Sequence, residues 1–498
     1  MQKVMTEKQK KIGMLLGLLT IVMAVIDNNI VSAAVVPIVR ELDPVHGVDR
    51  LPWLISAFAL AATAMLPLYG KLCDVFGAKI VYLGAVFTFL AGSALCGAAQ
   101  SMGQLIAFRA LQGAGAGGLM SVTMVVLVQL AGGPGSARGR VGNFGGIVAG
   151  AGMAAGPFLG GVLADHGQWR WIFYLNIPIG LLVLVTSALL LRLPKGRPHR
   201  IDFLGAGLAA VFAVGLLLIS EWGGKEYAWR SPQILGLVGG TIALFAAFLW
   251  RQAKAAEPIL PLSLFRNATI RVGFAIQGVI GLAMMGSMVY VMVYLQIVRG
   301  VPAAQAGMYL VPMALGLTAV GIVTGKLTEA GFSSKLLCVS GTAFGTLAIG
   351  ALATVGADTS LWFIRGALFV LGIGFGQLLG LLIGVVQQAA PRTQLGVATT
   401  AIRFFQNLGG ALGAALFGTL LSRGFTARMP GMSTSEIGTL TGSVRTAAVD
   451  AFVASMDRVF LVAAGCMAVT VILALVLRIP AAEDSVAHEV PASEPVPA

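Results

Sequence analysis

Charge is what this sequence has least of. Among 498 residues only 11% are Asp, Glu, Lys or Arg, where soluble domains carry about 25%. Hydrophobic residues make up 57% and the mean hydropathy is +0.89. No polar stretch is long enough for a separate soluble signalling or enzymatic domain. Four cysteines, Cys73, Cys96, Cys338 and Cys466, lie within or beside apolar segments, so neither disulfide nor zinc spacing is present. The four histidines, His46, His166, His199 and His488, stand apart in polar segments and form no metal set. No G-x-x-x-x-G-K-[ST] stretch occurs, which argues against ATP as an energy source. Gly113 to Gly118 matches G-x-G-x-x-G, but no strand precedes it and no acid follows about 20 residues on. It reads as a helix-packing stretch.

What is present is a series of apolar runs. A bilayer core of about 30 Å needs roughly 20 apolar residues per helix. Fourteen such stretches are predicted, at 12–38, 51–70, 79–99, 103–130, 140–163, 171–191, 203–220, 233–250, 270–297, 305–325, 335–354, 360–388, 396–421 and 459–478. The first follows Lys3, Lys8, Lys10 and Lys11 and is too long for a signal peptide, so it reads as an uncleaved span. The formal charge of +13 is spread as short basic clusters between apolar runs, which speaks for membrane orientation rather than nucleic acid. Most Lys and Arg fall on one side, including Arg192, Lys195, Arg197 and Arg200, then Arg251, Lys254, Arg266 and Arg271. By the positive-inside rule both termini are cytoplasmic. The tail at 481–498 is rich in Pro, Ala and Glu and is expected to be disordered.

Sliding the sequence by about 256 residues superimposes Gly70-Lys71-Leu72 on Gly325-Lys326-Leu327, Arg109 on Arg365, Pro134 on Pro391, and Gly152, Gly156 and Gly161 on Gly409, Gly413 and Gly418. Matches in constant order indicate two homologous six-helix halves, residues 1–200 and 266–480, with two extra spans at 201–265. Repeated halves place a substrate site at their interface near the bilayer midplane.

Asp27 is the one acid deep inside a predicted span. An ionised carboxylate there costs roughly 2.5–3.5 kcal/mol on insertion scales, so intramembrane acids mark ion or substrate pathways. Asp27 is therefore the candidate proton carrier, the alternative being a structural acid bonded to backbone or Asn groups. Arg109 can bias the protonation of a nearby acid or tether helices, since a guanidinium keeps its proton. One mid-membrane carboxylate neutralises one cationic centre, so neutral or singly cationic cargo is expected over dications. Candidate cavity residues are Asn28, Asn29, Gln112, Met284, Met288, Tyr290, Tyr294, Gln377, Phe404, Phe405 and Gln406. Methionine adapts its shape to varied apolar guests, and clustered amides are unusual against lipid.

Several stretches resemble a known family. Gly70-Lys71-Leu72-Cys73-Asp74-Val75-Phe76-Gly77-Ala78-Lys79 is similar to the G-x-L-x-D-R-x-G-R-K loop of the major facilitator superfamily, with Val75 and Ala78 in place of two arginines. Asp74 is expected to cap the start of span three and to pair with Arg140, so Gly70, Asp74, Gly77, Lys79 and Arg140 form a conformational latch. Gly152, Gly156-Pro157 and Gly160-Gly161 resemble the superfamily's antiporter signature, G-x-x-x-G-P-x-x-G-G, in which small residues let helices approach closely. Arg109-Ala110-Leu111-Gln112-Gly113 resembles R-x-x-Q-G, and Asp27 to Pro37 resembles D-x-T-I-V-N-x-A-L-P. Trp169-Arg170-Trp171-Ile172-Phe173, Asn176, Pro178 and Gly180, with Pro258 to Asn267, are similar to the fourteen-span drug:proton antiporter family (EmrB/QacA-like).

The resemblance implies an all-α major facilitator fold of two pseudo-symmetric six-helix bundles plus two inserted helices. It also implies a non-enzymatic, proton-coupled exporter of small amphipathic compounds in the plasma membrane. Its partners would be those compounds, protons and membrane lipids, with no nucleic acid and no cofactor beyond the proton gradient, and it would work as a monomer. Export of a lipid or endogenous metabolite on the same fold is the nearest alternative. A non-transporting membrane sensor or scaffold is the more distant one.

Overall fold

In the computed structural model the chain is described over residues 5–33, 38, 41–42, 47–131, 163, 168–194, 202–223, 227–255, 258–301, 307–391, 394–432, 437 and 440–478. Among these residues it is helical, with a single isolated bridge between Gly223 and Tyr227. The helices are α1 (Glu7–Ala33), α2 (Gly47–Phe76), α3 (Ala78–Ala98), α4 (Met102–Leu130), α5 (Trp171–Tyr174), α6 (Asn176–Leu190), α7 (Phe203–Trp222) and α8 (Pro232–Lys254). They continue with α9 (Ala268–Ile297), α10 (Val311–Glu329), α11 (Ser334–Leu352), α12 (Leu361–Ala389), α13 (Leu395–Thr426) and α14 (Gly442–Val476).

Twelve of the described helical segments are long and apolar enough to cross a membrane, with α5 and α6 joined as one of them. The predicted seventh span forms α7, whose apolar stretch Leu204–Ile219 is shorter. The predicted fifth span, apart from Leu163, lies outside the described residues. The chain is a multi-pass membrane protein. Helix starts follow local chemistry: the side chains of Ser101, Asp202, Ser231, Asn267 and Ser360 accept bonds from otherwise orphaned first-turn amides.

Packing repeats along the chain. α4 lies against α2 and α3, and α12 lies against α10 and α11 in the same way. Close approach needs glycine here: a Cβ at Gly113 or Gly117 of α4 would overlap the Phe58 and Ala62 carbonyls of α2, and one at Gly115 or Gly118 would strike α3. The Gly113–Gly118 stretch therefore works in helix packing. In the second half Gly409 and Gly413 bring α13 onto the Gly278 and Leu282 carbonyls of α9. Their counterparts across the repeat, Gly152 and Gly156, lie outside the described residues with Pro157, Gly160 and Gly161.

The two halves meet along α2 and α13, which run antiparallel. Asn407 Nδ2 donates to Thr63 Oγ1 at 3.1 Å, Gly70 lies against Val397 and Thr400, and Asp74 Oδ1 accepts from Gly396 N at 3.2 Å. α7 packs on α8, α2 and α13, where Phe212 and Ala213 join Leu66 and Phe404 in one buried cluster. At the end of the bundle bearing the N-terminus, Leu395 of α13 also packs onto Ile21 of α1 and Met124 and Leu127 of α4.

Candidate functional site

Asp27 sits in the second half of α1 and is 0% exposed, as Arg109 is 1% exposed. Three other helices deliver the residues around it. Arg109 and Gln112 come from α4, three residues apart and so on one face; Ser93 comes from α3 and Asn176 opens α6. Arg109 Nη1 donates to Asp27 Oδ2 at 3.0 Å. Oδ1 accepts from Gln112 Nε2 at 2.8 Å and from Asn176 Nδ2 at 2.7 Å. Arg109 also donates to Gln112 Oε1 at 2.7 Å and to the Leu54 carbonyl at 3.3 Å, with its guanidinium 4.1 Å from the Phe58 ring centroid. Ser93 Oγ accepts from Gln112 and Asn176 and donates to the Phe173 carbonyl at 2.9 Å.

This arrangement is a buried ion pair whose second carboxylate oxygen is met by two neutral amides. Such a pair is held firmly while intact, and losing one partner strands a charge in a medium that solvates it poorly. A proton added to Asp27 would remove the charge that Arg109 faces and weaken the charge-assisted bonds from Gln112 and Asn176. Proton occupancy and the packing of α1, α3, α4 and α6 are thereby linked.

The site differs from the sequence expectation at several residues. Gln112 belongs to the buried cluster rather than an open cavity. Asp27, already matched by Arg109, is not a free counter-ion for a cationic guest. Tyr290 packs edge-on to Phe417 inside the second half, and Tyr294 donates to the Gly356 carbonyl at 2.9 Å. Gln377 Oε1 accepts from Ser340 at 2.9 Å. Phe404 lies in the α2/α7/α13 cluster, and Phe405 stacks on Phe274 with centroids 5.0 Å apart. Met284 and Met288 are half-buried against the second-half core, and Gln406 accepts from Arg403 at 3.2 Å. The side chains of Asn28 and Asn29 lie outside the described residues.

The latch is also rearranged. Asp74 lies in the last turn of α2 and does not cap α3, which starts after Gly77 at φ +87 with no side-chain cap, a conformation suited to glycine. The Asp74 carboxylate instead meets the first turn of α13, where orphaned amides and the helix dipole favour a negative group. Lys79 donates to the Ala188 carbonyl at 2.7 Å. Arg140 lies outside the described residues.

Two residues carry more than the sequence reading gave them. Asn176 completes the Asp27 shell; its place in the Trp169–Gly180 stretch was visible, but its partner, 149 positions away, was not. Glu41 follows α1 and accepts from Trp169 Nε1 at 2.6 Å and from Arg170 Nη2 at 3.0 Å. Arg170 also closes the end of α3 by donating to the Gly97 and Ala99 carbonyls. The Trp169 indole N–H, followed by Arg170, holds the Glu41 carboxyl below its ordinary range.

An all-helical bundle built from a repeated packing unit, with a sealed acid–guanidinium cluster in the first unit, defines a membrane transporter fold. Residues 17–414 match the Major Facilitator Superfamily, and the chain belongs to that superfamily. The multidrug transporter protein MdtP of Bacillus subtilis (strain 168) is 33% identical over 422 residues, 83% of this chain and 76% of that protein. Multidrug resistance protein 3 of the same organism is 34% identical over 425 residues, 84% and 80% of the two chains. Among solved structures, the proton:xylose symporter XylE superimposes with a TM-score of 0.61 at 13% identity, over 92% of this chain and 94% of that one, a likeness of fold alone. The chain is a transporter rather than an enzyme.

Proposed function

We propose that this protein is a proton-coupled exporter of small amphipathic compounds, a multidrug efflux carrier of fourteen spans in which α7 and α8 form an inserted pair. The observation that carries the reading is the Asp27–Arg109 pair, sealed with Gln112 and Asn176 inside the first half. Intramembrane charge held at such expense marks a coupling site. The similarity to relatives named as multidrug transporters supports efflux as the task. The energy source is the proton gradient, with no cofactor. The carrier works as a monomer in the plasma membrane with both termini cytoplasmic.

With that orientation, the α2/α13 seam from Thr63 and Asn407 to Asp74 and Gly396 closes the cytoplasmic side. An external proton reaching Asp27 loosens its hold on Arg109 and on the amides of α4 and α6, which shifts the balance toward the state in which the seam parts. Cargo enters from the cytoplasmic side, the proton leaves there, and the ion pair reforms as the seam closes. A membrane potential adds about 2.3 kcal/mol per charge per 100 mV.

The test uses everted vesicles from a host lacking its own exporters. The wild type is expected to accumulate amphipathic dyes, with accumulation collapsed by a protonophore. Asp27→Asn is expected to abolish uphill accumulation while remaining in the membrane, and undiminished accumulation by that variant would refute the coupling role.

A further inference from the structure

The buried charges of the two halves are unequal. In the first half Arg109 faces Asp27. In the second, among the described residues, Arg403 of α13 has its Nε buried without a partner and a single side-chain bond, from Nη1 to Gln406 Oε1. No acid among the described residues pairs with it. Asp27 is paired with Arg109, Asp74 meets Gly396 and Asp202 meets Arg251. A guanidinium cannot shed its proton to relieve the imbalance.

Position gives this charge a purpose. Leu395, Thr399, Arg403, Gln406 and Gly410 fall on one face of α13 by helical spacing. Leu395 at one end of this face packs onto α1 and α4 of the first half, and Thr399, one turn on, accepts from Gln387 of α12 at 3.0 Å. On α9, Gln277, Gly281, Met284 and Met288 form a matching face. The two faces join where Gly281 lies against the Gln406 backbone. Gln277 is fully buried, yet neither its amide nitrogen nor its oxygen has a partner. The strip from Arg403 to Gln277 thus holds a fixed positive charge and idle amide groups, flanked by adaptable methionines.

We propose that Arg403 anchors a carboxylate on the transported compound, with Gln277 as an accessory amide donor and Met284 and Met288 against the apolar body, so that the preferred cargo is an amphipathic organic anion. A carboxylate matches the guanidinium fork and supplies the counter-charge the protein withholds. The inference rests on the exporter reading and replaces the expectation of neutral or singly cationic cargo.

The test uses one fluorescent aromatic skeleton as its carboxylate, its methyl ester and its trimethylammonium analogue. Binding to purified protein in phosphatidylcholine nanodiscs is read by fluorescence anisotropy without any gradient, and uphill transport is read in everted vesicles. The wild type is expected to bind the carboxylate at least tenfold more tightly than the ester. Arg403→Gln is expected to lose that preference with ester binding unchanged, and Arg403→Lys, which keeps charge without the fork, to lose part of it. Equal carboxylate binding by the wild type and Arg403→Lys as well as Arg403→Gln, or tighter binding of the ammonium analogue, overturns the assignment. Carboxylate binding abolished by phosphatidylglycerol in the disc marks a lipid-headgroup site and also overturns it. Arg403-dependent binding without uphill transport would instead refute the exporter and leave the anion site standing, whereas uphill export of neutral dyes without carboxylate preference would do the reverse.

Discussion

At the scale of single residues, Asp27 is held by one cation and two amides, so its removal should be felt in stability as well as transport. Replacing one member of a buried ion pair costs about 3–5 kcal/mol because the other charge is stranded. Asp27→Asn should therefore unfold at lower temperature than the wild type in detergent, measured by intrinsic fluorescence. The double variant Asp27→Asn/Arg109→Gln should recover part of that loss, since no bare charge remains, while uphill transport stays absent. A single variant as stable as the wild type would mean that Arg109 is compensated elsewhere. Asn176→Ala removes one charge-assisted bond, worth about 1.5–3 kcal/mol, and is expected to lower both the unfolding temperature and the rate of uphill transport, with Asn176→Gln recovering little because its longer side chain misplaces the amide.

At the scale of elements, the seam between α2 and α13 depends on residues without side chains. A Cβ at Gly70 would press on Thr400 and the Val397 backbone, and one at Gly396 would lie 2.6 Å from Asp74 Oδ1. Gly70→Val should force the seam apart. In a background free of the native cysteines, the pair Thr63→Cys and Asn407→Cys is expected to cross-link under mild oxidation, and the yield should fall several-fold once Gly70→Val is added. Unchanged yield would show that the seam is set elsewhere. The Glu41 clamp joins the α1–α2 connection to the segment before α5 through Trp169 and Arg170. Its folded-state pKa lies below the ordinary glutamate value of 4.5. Its contribution is therefore complete above that value and is lost as the pH falls through the lower, folded value. The clamp is partly exposed, so the effect is modest and screened by salt. An environment-sensitive fluorophore attached at neutral pH to a cysteine placed at Gln100 should report increased exposure as the pH falls through the lowered Glu41 value, while Glu41→Gln should show that signal already at neutral pH.

At the scale of the whole molecule, the orientation is open to direct measurement. Lys254 ends α8 and Arg299 follows α9, so single cysteines placed there should be labelled from opposite sides by an impermeant thiol reagent, Lys254→Cys from the cytoplasm. Labelling of both from one side would contradict α9 as a span. The shape of the bundle also bears on cargo. Its seam is closed at the end carrying the N-terminus, through Leu395 against the cluster of Ile21, Met124 and Leu127, and Arg403 lies about two turns along α13 from that closure.

By itself the sequence determined the solvent. Apolar runs of bilayer length, an almost uncharged interior and the repeat that pairs Arg109 with Arg365 are one-dimensional patterns, and hydrogen bonding in lipid leaves such runs little choice but helix. Asp27 was legible for the same reason, since a lone acid within an apolar run stands out. The tertiary structure alone decided how the charges pair. Helical spacing puts Arg109 and Gln112 on one face, but it cannot say that Asp27, Ser93 and Asn176 converge there from three other helices, or that Asp74 reaches the start of α13, 322 positions away. Nor can it separate Arg365, which lies over the Tyr309 and Trp362 rings near the start of α12, from Arg403, which has no acid paired with it among the described residues. Those distinctions depend on which helix faces meet, a property of packing in three dimensions rather than of any local run of residues.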